Sequence, residues 1–116
     1  MADRFFSFIA ARAMWSQRRK AVVVTCGASG CWYLDGEMAG KPQHQKAFAV
    51  EVVDTTGCGD VFHGAYATAL ANELPLPERI RFASAAAAMK ATRPGGQKGI
   101  PTLSQLQEFL KTAKLR

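Results

Sequence analysis

The stretch DTTGCGDVFHG, Asp54 to Gly64, sets three glycines, two threonines and two aspartates directly before an apolar run with helical spacing. Gly57 and Gly59 let the backbone turn tightly and bare successive N–H groups with no side chain in the way. At the first turn of a helix running through Val61, those N–H groups lack intrahelical acceptors and carry the positive end of the helix dipole, which makes an anion site. Asp60 at the same spot would repel a phosphate that was merely held. It suits a phosphotransferase, where a carboxylate accepts the proton of an attacking hydroxyl while N–H groups stabilise the transferred phosphoryl. The same residues also suit a simple helix cap after a turn, because Asp is a strong N-cap and Thr-Gly turns are common. Spacing leaves the two readings level, since the stretch matches neither the Walker loop nor the dinucleotide fingerprint.

The elements that must position this stretch can be read on either side of it. Phe5, Phe6, Ile9, Ala13 and Met14 recur at helical spacing and predict a helix over about residues 3–17, with Arg18, Arg19 and Lys20 at its C-terminal end. AVVVTC reads as a strand buried on both faces, GASG as a turn, and CWYLDGE as a second strand with Asp35-Gly36 marking a tight turn. Residues 38–45 are polar and hold Gly40 and Pro42, which predicts a loop, and AFAVEVVD resumes strand character. Val61, Phe62, Ala65, Tyr66, Ala69 and Leu70 form a helical stripe that ends near Asn72, where LPLP interrupts it. An alanine-rich helix is expected from Pro77 to about Thr92, followed by the loop TRPGGQKGIP. Thr102 opens a last helix, with Thr102 and Gln105 spaced as a capping box and Leu103, Leu106, Phe109 and Leu110 on one side. Strands give way to helices along the chain, which predicts an α/β layer architecture with few strands, closer to half of a doubly wound domain than to a whole one.

Composition narrows the classes. The 116 residues are 48% hydrophobic and carry fifteen Lys and Arg against nine Asp and Glu, a net charge of +6. The basic residues are scattered and not interleaved with aromatics on one element, so no nucleic-acid partner is expected. No apolar run reaches the length of a membrane span, and no membrane partner is expected. The short N-terminal FFSFIAA reads as an amphipathic helix in preference to a signal or transit segment. Cys26, Cys31 and Cys58 form no C-x-x-C pair, and a reducing cytoplasm with free thiols is the default, although Cys26 and Cys31 could approach across a hairpin.

D-T-T-G-C-G-D-x-F-x-G closely resembles the C-terminal signature of the ribokinase-like carbohydrate kinases, the PfkB family, usually D-T-x-G-A-G-D-x-F. VVVTCGASGCWYL resembles that family's strand and T-x-G-x-x-G nucleotide loop, and RFASAAAAMKATRPGGQKGIPT its adenine-side helix and following loop. Three motifs in the right order cover most of the chain. The resemblance implies the C-terminal part of a three-layer α/β/α fold and ATP-dependent, Mg2+-assisted phosphorylation of a sugar hydroxyl. Asp60 would be the base and the backbone of Gly57, Cys58 and Gly59 the anion hole. Thr25, Gly27 and Gly30 would line the ribose and phosphate side of the nucleotide, where without the family a plain β-turn is the favoured reading. Ser84 and Ala88 would lie near adenine, on a helix that otherwise reads as a packing surface. Asp54, Thr56, Ala91 and Gly96 fall where related kinases bind a monovalent cation, here K+, partly through carbonyls. Cys58 replaces the usual alanine, and its thiol at a helix N-terminus is expected to be acidic and reactive.

Residues 1–116 are read as one partial domain. The family's N-terminal strands, its lid with the sugar-binding motifs and its N-x-x-E magnesium element are not in this sequence. Two readings follow: the catalytic C-terminal portion of a sugar kinase, or a noncatalytic remnant that binds nucleotide or pairs with a second copy through an uncovered sheet edge.

Overall fold

The computed structural model describes residues 13, 20–36 and 41–116. The expected opening helix lies outside the described residues apart from Ala13, as do Arg18 and Arg19. The chain divides into two compact units, one reaching to Ala47 and the other Phe48–Arg116.

The first unit is an antiparallel three-stranded meander: β1 (Ala21–Thr25), β2 (Cys31–Asp35) and β3 (Pro42–Gln45), in that spatial order. Val22 faces Leu34 across the first ladder and Val24 faces Trp32, and these four form one apolar cluster. The β-branched run of β1 is therefore not buried on both faces as expected, since Val22 alone in that strand is fully buried. Strand alternation sends Val22 and Val24 to one side and Val23 to the other, where cover is only partial.

Gly27–Ser29 form one 3-10 turn between β1 and β2, closed by the Cys26 amide donating to Gly30 O at 2.8 Å. β3 corrects the expectation of a loop over 38–45. PQHQ is polar, but an edge strand needs only one hydrogen-bonded neighbour and no apolar face. Pro42 is tolerated as its first residue. His44, paired with Trp32, lies tilted against that indole with ring centroids 4.7 Å apart, and its Nε2 lies 2.7 Å from Ser29 O.

The second unit is helical: α1 (Cys58–Ala71), α2 (Leu76–Ala91) and α3 (Leu103–Thr112). AFAVEVVD does not form the expected strand. It makes a single bridge, Phe48 to Leu115, after which Val53 and Asp54 both donate their amides to Ala91 O. β-propensity supplies no partner: without a neighbouring ladder among the described residues, Val52 and Val53 stand 49% and 59% exposed.

Alanine at positions 83, 85 and 86 of α2 is buried, and small side chains allow close approach of its neighbours. Phe48, Ala85, Ala86 and Leu106 form the core cluster, with Phe109 and Leu110 of α3 against it. Leu103 departs from the expected α3 stripe at 60% exposure, and Leu70 from the α1 stripe at 51%. Both sit near a helix end, where the neighbour no longer covers the apolar face. The α3 capping box forms as expected, Thr102 Oγ1 accepting from the Gln105 amide and Gln105 Oε1 from the Thr102 amide.

Candidate active site

The residues between Asp54 and Asp60 turn the chain from an extended run into α1. Gly57 is the N-cap, at φ 75° and ψ 5°, and no side chain caps the helix. A helix needing only a cap would place an oxygen-bearing side chain there, with an N–H bonded to it. Neither aspartate of the motif caps the helix with its side chain.

What remains is a set of open donors. The Cys58 amide is committed to Thr55 O at 3.1 Å and the Val61 amide to Gly57 O at 2.9 Å. The amides of Gly57, Gly59 and Asp60 have no acceptor among the described residues. Thus the Cys58 amide, expected among the donors, is not free, and the amide of Asp60 is. A Cβ on Gly57 or Gly59 would meet nothing within 4 Å, so the space before these amides is open. Asp60, in the first turn of α1, is exposed, and its carboxylate has no hydrogen-bond or ionic partner among the described residues.

Asp54 is bound where Asp60 is free. Its Oδ1 accepts the Thr56 amide at 2.8 Å and its Oδ2 the Gly95 amide at 3.0 Å, pinning the start of the α1 loop to the glycine loop after α2. The Thr56 hydroxyl, then the Thr56 and Gly95 amides, with a smaller contribution from Lys90, hold its carboxyl well below the usual range, at about 2. The partner is Gly95, at φ 81°, and not Gly96, whose carbonyl accepts the Gly99 amide at 3.0 Å. Ala91 O already accepts two amides, from Val53 at 2.7 Å and Asp54 at 3.1 Å.

Lys90 was not legible as a site residue in the sequence, where it ends an alanine run like any surface lysine. It is fully buried, and its Nζ donates to Asp54 O and to Arg93 O, each at 3.2 Å. Its stem packs against Gly99, where a Cβ would lie 2.5 Å from Lys90 Cδ. Arg93 O is three residues away, but the other acceptor, Asp54 O, lies 36 residues back, so no local signal marks the site.

The expectation of an acidic Cys58 thiol is reversed. Burial pushes the thiol up; Lys90 opposes that and Asp54 adds to it. Its Sγ points to Ala87 O at 3.5 Å. Ser84 and Ala88 lie one turn apart on α2; Ser84 is half-buried and Ala88 packs on the core cluster.

The remaining candidates belong to the first unit. Thr25 is exposed at the end of β1, and Gly27, at φ 53°, has open space where a Cβ would project. Gly30, at φ 86°, is filled from within, a Cβ there falling on Gln45 O. Gly27 thus leaves room for a ligand, while glycine at 30 is required by the fold itself.

This geometry agrees with sequence comparison. Residues 9–103 match the pfkB family carbohydrate kinase profile. The chain belongs to that family.

Among its pfkB relatives is the ribokinase of Haemophilus influenzae, 38% identical over 113 residues that cover 97% of this chain and 36% of the relative. Fructokinase-2 of Solanum habrochaites is 36% identical over 108 residues, 87% of this chain and 32% of the relative. The structure of Arabidopsis thaliana ribokinase complexed with ribose and ATP superposes with a TM-score of 0.73 at 34% identity, covering 80% of this chain and 30% of that one. The three-stranded sheet and three helices are thus an α/β fragment of the ribokinase fold. The chain spans about a third of the length of these pfkB relatives.

Proposed function

We propose that this chain is the nucleotide-binding, base-carrying portion of an ATP-dependent sugar kinase, one partial domain of a longer assembly. The observation that carries the reading is an unengaged Asp60 carboxylate beside open backbone donors under a glycine N-cap. Free N–H groups at a 14-residue helix's positive end fit a phosphate, and the bare Cα positions of Gly57 and Gly59 let it approach. Asp60 takes the proton of the sugar hydroxyl, and the amides of Gly57, Gly59 and Asp60 stabilise the charge on the phosphoryl group. Gly27 and Thr25 would lie along the ribose and phosphate side, and Ser84 and Ala88 toward adenine.

ATP, when bound, supplies the phosphoryl group, and Mg2+ neutralises its charge. No group of three or more His, Cys, Asp or Glu among the described residues could hold a metal. The magnesium ion would be held by the nucleotide's own phosphates. Relatives named for ribose and for fructose leave the substrate class as a small sugar. Three free cysteines fit a reducing cytoplasm, and no described helix is long and apolar enough to cross a membrane. Exposed Val52 and Val53 favour a second reading, a noncatalytic remnant that binds nucleotide or pairs with a second copy.

The test is ADP formation with a panel of pentoses, ketoses and nucleosides. Sugar-dependent turnover should fall about 10²–10⁴-fold in Asp60→Asn while nucleotide affinity is retained. Turnover unchanged in that variant would remove Asp60 as the base, and nucleotide binding without turnover in the wild type would support the remnant.

A further inference from the structure

Of the four residues at the monovalent-cation position implied by the family resemblance, Asp54, Ala91 and Gly96 have carbonyls that are already engaged, and Thr56 does not. Ala91 O holds two amides, Gly96 O holds the Gly99 amide, and Asp54 O holds the Lys90 ammonium. A potassium ion there would find both lone pairs of Ala91 O taken and would meet the Lys90 ammonium at Asp54 O, so the residues present do not fit one held by Asp54, Thr56, Ala91 and Gly96 together. They fit a cation that the chain supplies itself. We propose that the Lys90 ammonium is the resident monovalent cation of this loop pair, and that the chain has no potassium requirement.

Three observations converge on this. A fully buried ammonium is costly unless it is well bound, and Lys90 forms no ion pair at salt-bridge distance; the Lys111–Glu108 pair is the one of that kind among the described residues. Its Nζ is held instead by two backbone carbonyls, Asp54 O and Arg93 O, the ligand type that also suits potassium. One comes from the loop before α1 and the other from the loop after α2, so the ammonium ties together the two segments that a bound ion would tie. Finally, Gly99 makes the room. A Cβ there would lie 2.5 Å from Cδ and 2.8 Å from Cε of Lys90, so even alanine at 99 would displace the stem.

An ammonium and a potassium ion carry the same charge and are close in size, and two cations cannot share the site without strong repulsion. By pinning Asp54, whose carboxylate in turn holds Thr56 and Gly95, Lys90 fixes the loop that leads into Gly57 and Asp60.

The proposal does not depend on turnover and is tested on the whole chain by thermal unfolding, in potassium, sodium or choline chloride at equal ionic strength. The wild type should melt at the same temperature in all three, within about 1 °C. Lys90→Ala should lose at least about 5 °C in choline chloride. It should recover part of that loss in potassium or methylammonium chloride but not in choline. A saturable, potassium-selective rise in the wild type would overturn the proposal, and so would a folded Lys90→Ala with no cation-selective recovery. If Lys90→Ala does not fold in any salt, the wild-type comparison still decides. Because unfolding needs no sugar or nucleotide, a failure of kinase activity leaves the result intact.

Discussion

Replacing Gly30 by alanine separates a glycine that the fold needs from one that a ligand would need. Gly30 sits at φ 86°, ψ −140°, a region essentially reserved for glycine, and forcing alanine into it costs about 1–3 kcal/mol. The new Cβ would also fall 2.0 Å from Gln45 O and 3.0 Å from the Ala47 amide. That oxygen cannot retreat freely, because Gln45 is paired with Cys31 in the β2–β3 ladder. Opening the rung adds roughly 1 kcal/mol, so Gly30→Ala should cost about 2–4 kcal/mol. Gly27→Ala is the control. Its φ of 53° is left-handed but a Cβ there meets nothing within 4 Å, so its cost is about 1–2 kcal/mol. Urea unfolding followed by tryptophan fluorescence, which includes Trp32 in β2, and by circular dichroism at the helical band would read both variants. Equal stability of the two, within about 0.5 kcal/mol, would refute the steric argument. A Gly27→Ala that folds well but binds nucleotide weakly would place the ligand at the open glycine.

Asp54 gives a pH dependence of defined sign. Its folded-state carboxyl lies at about 2, below the ordinary 3.8, so the unfolded chain binds the proton more readily. Its stabilising contribution is complete above about pH 4 and is lost as pH falls toward 2. Melting temperature measured across that window should fall less steeply in Asp54→Asn than in the wild type, and equal slopes would contradict the assignment. Cys58, with its thiol pushed up by burial, should react with iodoacetamide at pH 8 more slowly in the folded chain than in urea. Faster labelling in the folded chain would restore the acidic-thiol expectation.

Much of the helical unit was legible because its signals are local. Thr102 and Gln105 lie within one turn, so their reciprocal hydrogen bonds follow from spacing alone. The stop at LPLP is similarly local, since Pro77 is tolerated in a first turn and not in a helix interior. Strands were read less well. PQHQ is a strand because β2 offers it a ladder, and AFAVEVVD is not one because no described segment does. Hydrogen-bonded neighbours, not composition, decide such segments.

At the candidate site, sequence alone determined that a glycine-rich turn with Asp60 opens a helix, and the motif's resemblance determined the family to expect. It could not choose between a cap and a site, because both use the same residue types. The tertiary structure adds that Gly57 is a bare cap and that the Asp60 carboxylate has no partner among the described residues. It alone revealed Lys90, whose acceptor on Asp54 lies 36 residues away and whose room depends on Gly99. Periodicity and caps are written within a turn or two of chain. Which carbonyl a buried charge meets is fixed only when distant loops are packed against each other.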